Sequence, residues 1–123
     1  MTKISLRSHP EVLFANSSNN IEMILRIENP QDHPIWVETD VSIPENLSLS
    51  PNTSLKKGRV RIGIIGKNEY LEKAIRIYGS QLTSAQQYQG TLVLYFFNKD
   101  GVIENRLEHP FEVKCEIKKE ATF

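Results

Sequence analysis

Three histidines each precede a proline, at His9-Pro10, His33-Pro34 and His109-Pro110. Imidazole ligates zinc, but a zinc site needs three or four converging donors, and a residue before proline is biased to extended backbone. If the first and last strands pair, His9 and His109 approach each other and supply two ligands of a site that still needs a third. Their spacing does not enforce this, so solvated histidines at strand starts are expected, with no metal and no cofactor. Cys115 is the single cysteine, which excludes an internal disulfide and a cysteine-built zinc site. It shares the phase of Phe111, Val113 and Ile117, so it is expected as a small core residue whose thiolate is disfavoured by burial. As a nucleophile it would need a base, and the candidate in sequence is His109. The chain carries no Ser-His-Asp arrangement, paired catalytic carboxylates or metal-helix motif, and Gly58 to Gly66 has the wrong spacing for a phosphate loop. A noncatalytic role is expected.

Residues suited to binding are easier to find. Strand alternation puts Val37, Thr39 and Val41 on a buried face and Trp36, Glu38, Asp40 and Ser42 on the other. An exposed tryptophan beside carboxylates is an interface anchor. A bulge or frame slip would instead turn Trp36 into the core, as in antibody-type sandwiches. Tyr95 and Phe97 pose the same question, because Leu92, Leu94 and Phe96 share the opposite phase. A strand apolar on both faces is covered by something, a second protomer included. Lys56, Lys57, Arg59 and Arg61 form a basic run, and Arg59 and Arg61 share the polar face of one strand. Glu69 and Glu72 are expected opposite them as cross-strand partners, the alternative being charge-assisted contacts to an acidic partner. The candidate binding residues are therefore Trp36, Tyr95, Phe97, Arg59 and Arg61.

The elements that must position these residues read as strands. A chain of 123 residues, 39% hydrophobic and 24% charged, is the size of one domain with a core that needs no staples. Its 15 acidic residues cancel its 15 basic ones, which argues against a general binder of nucleic acid or anionic membranes, and no interleaved aromatics offer bases a stacking platform. Period 2 runs almost throughout, with Pro, Gly and Asn/Asp/Ser clusters between the runs. Ile4 and Leu6 begin a first strand, which His9-Pro10 interrupts before Val12 to Ala15 resumes it, suiting an edge strand that changes partners. Ile21, Met23, Leu25 and Ile27 then alternate with polar neighbours. Ile35 to Ile43 follows a Pro-rich turn at Asn29 to Pro34, and Leu47 and Leu49 give a short apolar beat. In Arg59 to Ile65, Val60, Ile62 and Ile64 are expected on one face. Glu69 to Tyr78 also fits a helical stripe, but its Ala-Ile-Arg-Ile-Tyr-Gly end favours a strand. Tyr88 to Phe97 is apolar enough for a central strand, and Asn98-Lys99-Asp100-Gly101 turns it into Val102 to Leu107. Phe111 to Ile117 is the last strand. About seven to eight strands without a helix imply an all-β, Ig-like antiparallel sandwich over residues 1–118, with a tail at 119–123.

The segment Ile21 to Ser50 resembles the second and third strands of Ig-like modules of the adhesion-related archaeal and bacterial CARDB type, including those associated with α-galactosidases. Those modules pair an alternating strand ending in Asn with a strand leading to an L-P-x-x-L bend, here Ile43-Pro44-Glu45-Asn46-Leu47. Tyr88-Gln89-Gly90 is similar to their Tyr-x-Gly, and it has the placing of a tyrosine corner. Leu25 to Asp32 also resembles the strand of the major sperm protein domain that ends in N-P-x-D. That family carries lysines soon afterwards, whereas this chain reads Val37-Glu38-Thr39-Asp40, which departs from binding of acidic peptides.

The resemblance implies an interaction or structural module, the alternative being a carbohydrate-associated accessory or cell-surface module. The expected partner is a protein or a second copy, so a homodimer is one expectation, and neither nucleic acid nor direct membrane insertion is expected. Met1 to Leu6 lacks a signal-peptide hydrophobic region. The expected location is therefore cytoplasmic as written, and extracellular if a signal peptide has been removed. Asn16, Asn46 and Asn52 open N-x-Ser/Thr sequons that would favour the latter, but asparagine and serine are also ordinary turn residues.

Overall fold

The computed structural model describes residues 3–118; the expected tail at 119–123 lies outside them. Among the described residues nine strands form two facing sheets: β1 (Lys3–His9), β2 (Val12–Phe14), β3 (Asn19–Glu28), β4 (Ile35–Ser42), β5 (Leu47–Ser48), β6 (Lys57–Ile65), β7 (Tyr70–Gly79), β8 (Gln86–Phe97) and β9 (Ile103–Glu116). One sheet has the order β1-β3-β7-β5 and the other β2-β9-β8-β4-β6. Among the described residues no helix is long and apolar enough to cross a membrane.

Alternation sets the core. Ile21, Met23, Leu25 and Ile27 of β3 face Val37 and Val41 of β4 and Leu92, Leu94 and Phe96 of β8, all buried. Thr39 is buried among them and donates its hydroxyl to the Val93 carbonyl at 3.1 Å, so its polar atom is satisfied. Cys115 is buried and free, and burial pushes its thiol pKa up. The chain changes sheets at His9-Pro10, with β1 pairing β3 and β2 pairing β9, as an interrupted edge strand requires. The β2–β9 pairing is parallel, an exception to the expected antiparallel pattern. The ambiguous stretch from Glu69 to Tyr78 is a strand from Tyr70 onward, within β7.

Two motif residues have direct physical roles. The buried Tyr88 accepts the Ser84 N–H at 3.1 Å and donates to the Ser84 carbonyl at 3.0 Å, forming the tyrosine corner between β7 and β8. Gly90 stands opposite Phe111, and a Cβ at Gly90 would lie 2.3 Å from the Phe111 ring. The ring occupies the space that glycine leaves, which explains Gly two positions after the tyrosine. Asn16 and Asn46, two of the sequon asparagines, have positive φ of 57° and 71°, a conformation that asparagine tolerates in turns.

Several expectations fail for identifiable reasons. The two strands expected at Val102 to Leu107 and Phe111 to Ile117 are one strand, β9, which begins at Ile103, runs through Pro110 and ends at Glu116. Proline is tolerated there because β2 reaches only Lys114 to Glu116, leaving β9 with a free side at Pro110. Ile117 lies past the end of β9 and is exposed rather than core. Ile64 is exposed while Ile65 is buried, because the β4–β6 register pairs Val37 with Gly63 but Glu38 with Arg61. Ile62 is the extra residue of that bulge, so the frame of β6 shifts before Ile64.

Candidate interaction surface

The outward face of the five-stranded sheet carries the sequence-predicted binding residues, arranged in rows across the strands. Trp36 on β4 stands opposite Ile64 on β6 and opposite Phe97 on β8, and Phe97 stands opposite Ile103 on β9. Trp36, Ile64 and Ile103 are 41%, 63% and 51% exposed. The core position expected for Trp36 by analogy with antibody-type sandwiches is thus not the one it takes. Val37 fills that inward position, as plain alternation requires. An apolar row spanning four strands, exposed at Ile64, Trp36 and Ile103 and half-buried at Phe97, is the feature that most departs from an ordinary solvated face.

Below it lie two polar rows. Glu38 pairs in register with Arg61 and with Tyr95, and Asp40 with Arg59 and with Val93. Arg59 grips Asp40 with two hydrogen bonds, Nε to Oδ1 at 2.7 Å and Nη2 to Oδ2 at 3.1 Å. These bonds hold the Asp40 carboxyl below the usual carboxylate range and raise the Arg59 pKa. The guanidinium also lies 5.2 Å from the Tyr95 ring centre, a cation–π distance. Arg61 reaches Glu38 at 3.4 Å, and Arg106 reaches Glu108 at 2.9 Å. Arg59 and Arg61 therefore pair with β4 rather than with Glu69 and Glu72. β6 has β4 as its ladder partner, whereas β7 belongs to the other sheet, where Glu72 pairs with Arg7 at 2.8 Å.

The apolar row borders an open cleft of about 800 Å³ lined by His33, Pro34, Trp36, Ile64, Phe97 and Glu104 and by the hairpin turn 98–101. Its walls are tied together by Asn29, which follows the end of β3 and is buried. The Asn29 side-chain amide donates to the carbonyls of His33 at 2.9 Å, Ile65 at 3.1 Å and Gly66 at 3.2 Å, and its Oδ1 accepts the Gln31 N–H at 3.0 Å. One side chain thereby ties the loop before Trp36 to the strand end that carries Ile64. In the hairpin, Asn98 Oδ1 accepts from the N–H groups of Asp100 and Val102, and Gly101 takes φ 75°.

The outward face of the other sheet differs. Arg7 pairs with Glu72, Arg76 with Glu22 at 2.8 Å, and the Arg26 guanidinium covers Tyr70 at 3.6 Å. The histidines do not converge: His9 stands opposite Glu22 in the four-stranded sheet and His109 opposite Leu92 in the other. Among the described residues no three His, Cys, Asp or Glu side chains gather as a ligand set.

Ile64 and Ile103 are the surface residues that sequence reasoning missed. Gly63 inside a strand, followed by the consecutive Ile64-Ile65, was the available signal of a bulge. A second irregularity, pairing Phe96 with Asn105 but Phe97 with Ile103, brings Ile103 into the row.

Sheet order, tyrosine corner and alternating core define an Ig-like β-sandwich. In fold it is similar to the CARDB domain of a Pyrococcus furiosus protein, whose crystal structure is in complex with di-metal ions. The two share a TM-score of 0.51 and 17% identity over 96% of this chain and 93% of that one. A lesser likeness, at TM-score 0.44 and 13% identity, is to the Pseudomonas fluorescens alkylpurine DNA glycosylase AlkC bound to DNA, of which it covers 30%. No protein-family model and no curated protein matches the sequence.

Proposed function

We propose that the chain is a noncatalytic interaction module that engages a protein partner, or a second copy, through the outward face of its five-stranded sheet. The observation that carries this reading is the apolar row of exposed Ile64, Trp36 and Ile103 with half-buried Phe97, beside ion pairs that are already satisfied within the chain. Apolar anchors bordered by polar residues suit a recognition surface. Binding through the face is favoured over strand addition. The β6 edge carries the bulge and two arginines, and β9 carries Pro110 and its own irregularity, all devices that blunt an edge.

A metal-dependent role in the manner of the Pyrococcus domain does not fit these residues. Asp40, Glu38 and Glu108 are each engaged by an arginine, and no three-donor set exists among the described residues. A carbohydrate-associated accessory role is the second reading, favoured by two aromatic rings beside Glu104 and Asp100 in the open cleft, since rings stack on sugars and carboxylates bond their hydroxyls.

Affinity capture from an extract of the native cells, with wild type and a folded Trp36→Ala variant, tests the first reading. A protein retained by wild type and lost with the variant is expected. Equal retention by both would contradict it. Glycan-array binding that depends on Trp36, without protein capture, would establish the second reading instead.

A further inference from the structure

We infer that the occupant of this face is a second copy of the chain, docked as a symmetric dimer; this rests on the reading of the outward face as the interaction surface. The apolar row is palindromic in kind: isoleucine, aromatic, aromatic, isoleucine, in the register Ile64, Trp36, Phe97, Ile103. A two-fold axis lying in the interface, parallel to the strands and midway between β4 and β8, sets Trp36 against the partner's Phe97 and Ile64 against the partner's Ile103. Each contact then occurs twice, as an isologous interface requires. A row read the same from either end is complementary to its own copy.

Charge does not oppose this choice of occupant. The same operation brings Arg59 to the partner's Glu108, a pair of opposite sign. It also brings Arg61 to the partner's Arg106, but each of these guanidinium groups keeps its own carboxylate, Glu38 or Glu108, at the rim. Because the carboxylates of both polar rows are matched in the chain, the face exerts no strong single-signed pull on a charged partner. Two copies of a chain with formal net charge +0 also do not repel each other.

Area sets the strength. Four strands about 4.8 Å apart, each presenting roughly eight residues at about 3.3 Å, offer about 500 Å² per copy and about 1,000 Å² in total, which is the threshold of a specific interface. A reversible dimer that dissociates on dilution follows.

Sedimentation analysis from about 5 to about 500 μM, the range suited to an interface of this size, is the test. Wild type should rise toward twice the 14.1 kDa chain mass. Ile64→Asp and Ile103→Asp should each weaken association about tenfold or more, whereas Leu82→Asp, at an exposed leucine outside the face, should not. Trp36 is the single tryptophan, so its emission should shift to the blue as the dimer forms. Circular dichroism confirms that the variants are folded. A wild type that stays monomeric throughout, or a dimer indifferent to both aspartate variants, would overturn the proposal. The monomeric outcome leaves the interaction surface separately testable. Capture of another protein that Ile64→Asp abolishes would keep the face and replace its occupant, and capture indifferent to Ile64→Asp would reject both.

Discussion

Trp36 on β4 stands directly opposite Ile64 on β6; alternation along β4 turns Trp36 to solvent, and Ile64 joins it there because Ile62 is the extra residue of a bulge just before it. The pair is the start of the apolar row, so the geometry of the bulge determines whether the row reaches β6. Gly63 within it has φ 121°, a conformation that side chains rarely adopt.

Gly63→Ala should therefore destabilise the fold by about 1–3 kcal/mol through backbone strain. Space is not the cause, since a Cβ at Gly63 would sit 3.5 Å from Leu71, an ordinary contact. Urea unfolding measures the change. A variant as stable as wild type would mean that the bulge tolerates a side chain.

Asn29→Ala removes a buried amide that satisfies three carbonyls and an N–H. The expected loss is about 2–4 kcal/mol, because buried polar groups are left without partners. Amide exchange should also quicken at Gln31, in the loop that leads to Trp36. Unchanged exchange with unchanged stability would show that the cleft wall holds without Asn29.

Gly90→Ala drives a methyl group into the Phe111 ring. Overpacking of this kind costs about 1–3 kcal/mol. The double variant Gly90→Ala/Phe111→Leu should cost less than the sum of its single changes, because each relieves the other. A strictly additive cycle would contradict the ring-over-glycine packing.

The Asp40 carboxyl is held below the ordinary aspartate range by its hydrogen bonds to Arg59, and Glu72 is held low in the same way by Arg7. A carboxyl whose pKa is lower in the folded state stabilises the fold above the unfolded value and loses that contribution as pH falls through the folded one. Tm should decline as the pH is lowered from about 5 to about 2, less steeply in Asp40→Asn. The difference should be small and shrink in salt, since the pair is exposed to solvent. Parallel curves for wild type and variant would contradict the assignment.

Much of this sandwich was legible because inward and outward residues alternate so regularly. β3, β4 and β8 could be phased by eye, and Tyr88-Gln89-Gly90 marked the tyrosine corner. Partner choice between strands was less legible. Nothing in Arg59 and Arg61 says that β6 pairs back onto β4 rather than onto the next strand, because the connection after β6 crosses between the sheets. The site was half legible for a related reason. Alternation placed Trp36 outward, but a one-residue shift within β6 exchanged the faces of Ile64 and Ile65, and strict period-2 reading carries no record of a bulge except the glycine that permits it.

The most direct test of the interaction surface is site-specific photocrosslinking in cells that express the native gene, with the photoreactive residue at position 64 or at position 74. Ala74 is exposed in the middle of the opposite sheet. Discrete adducts should form from position 64, to a second copy or to another protein, and position 74 should give none. Adducts from position 74 alone, or equally from both, would contradict the assignment of the five-stranded face.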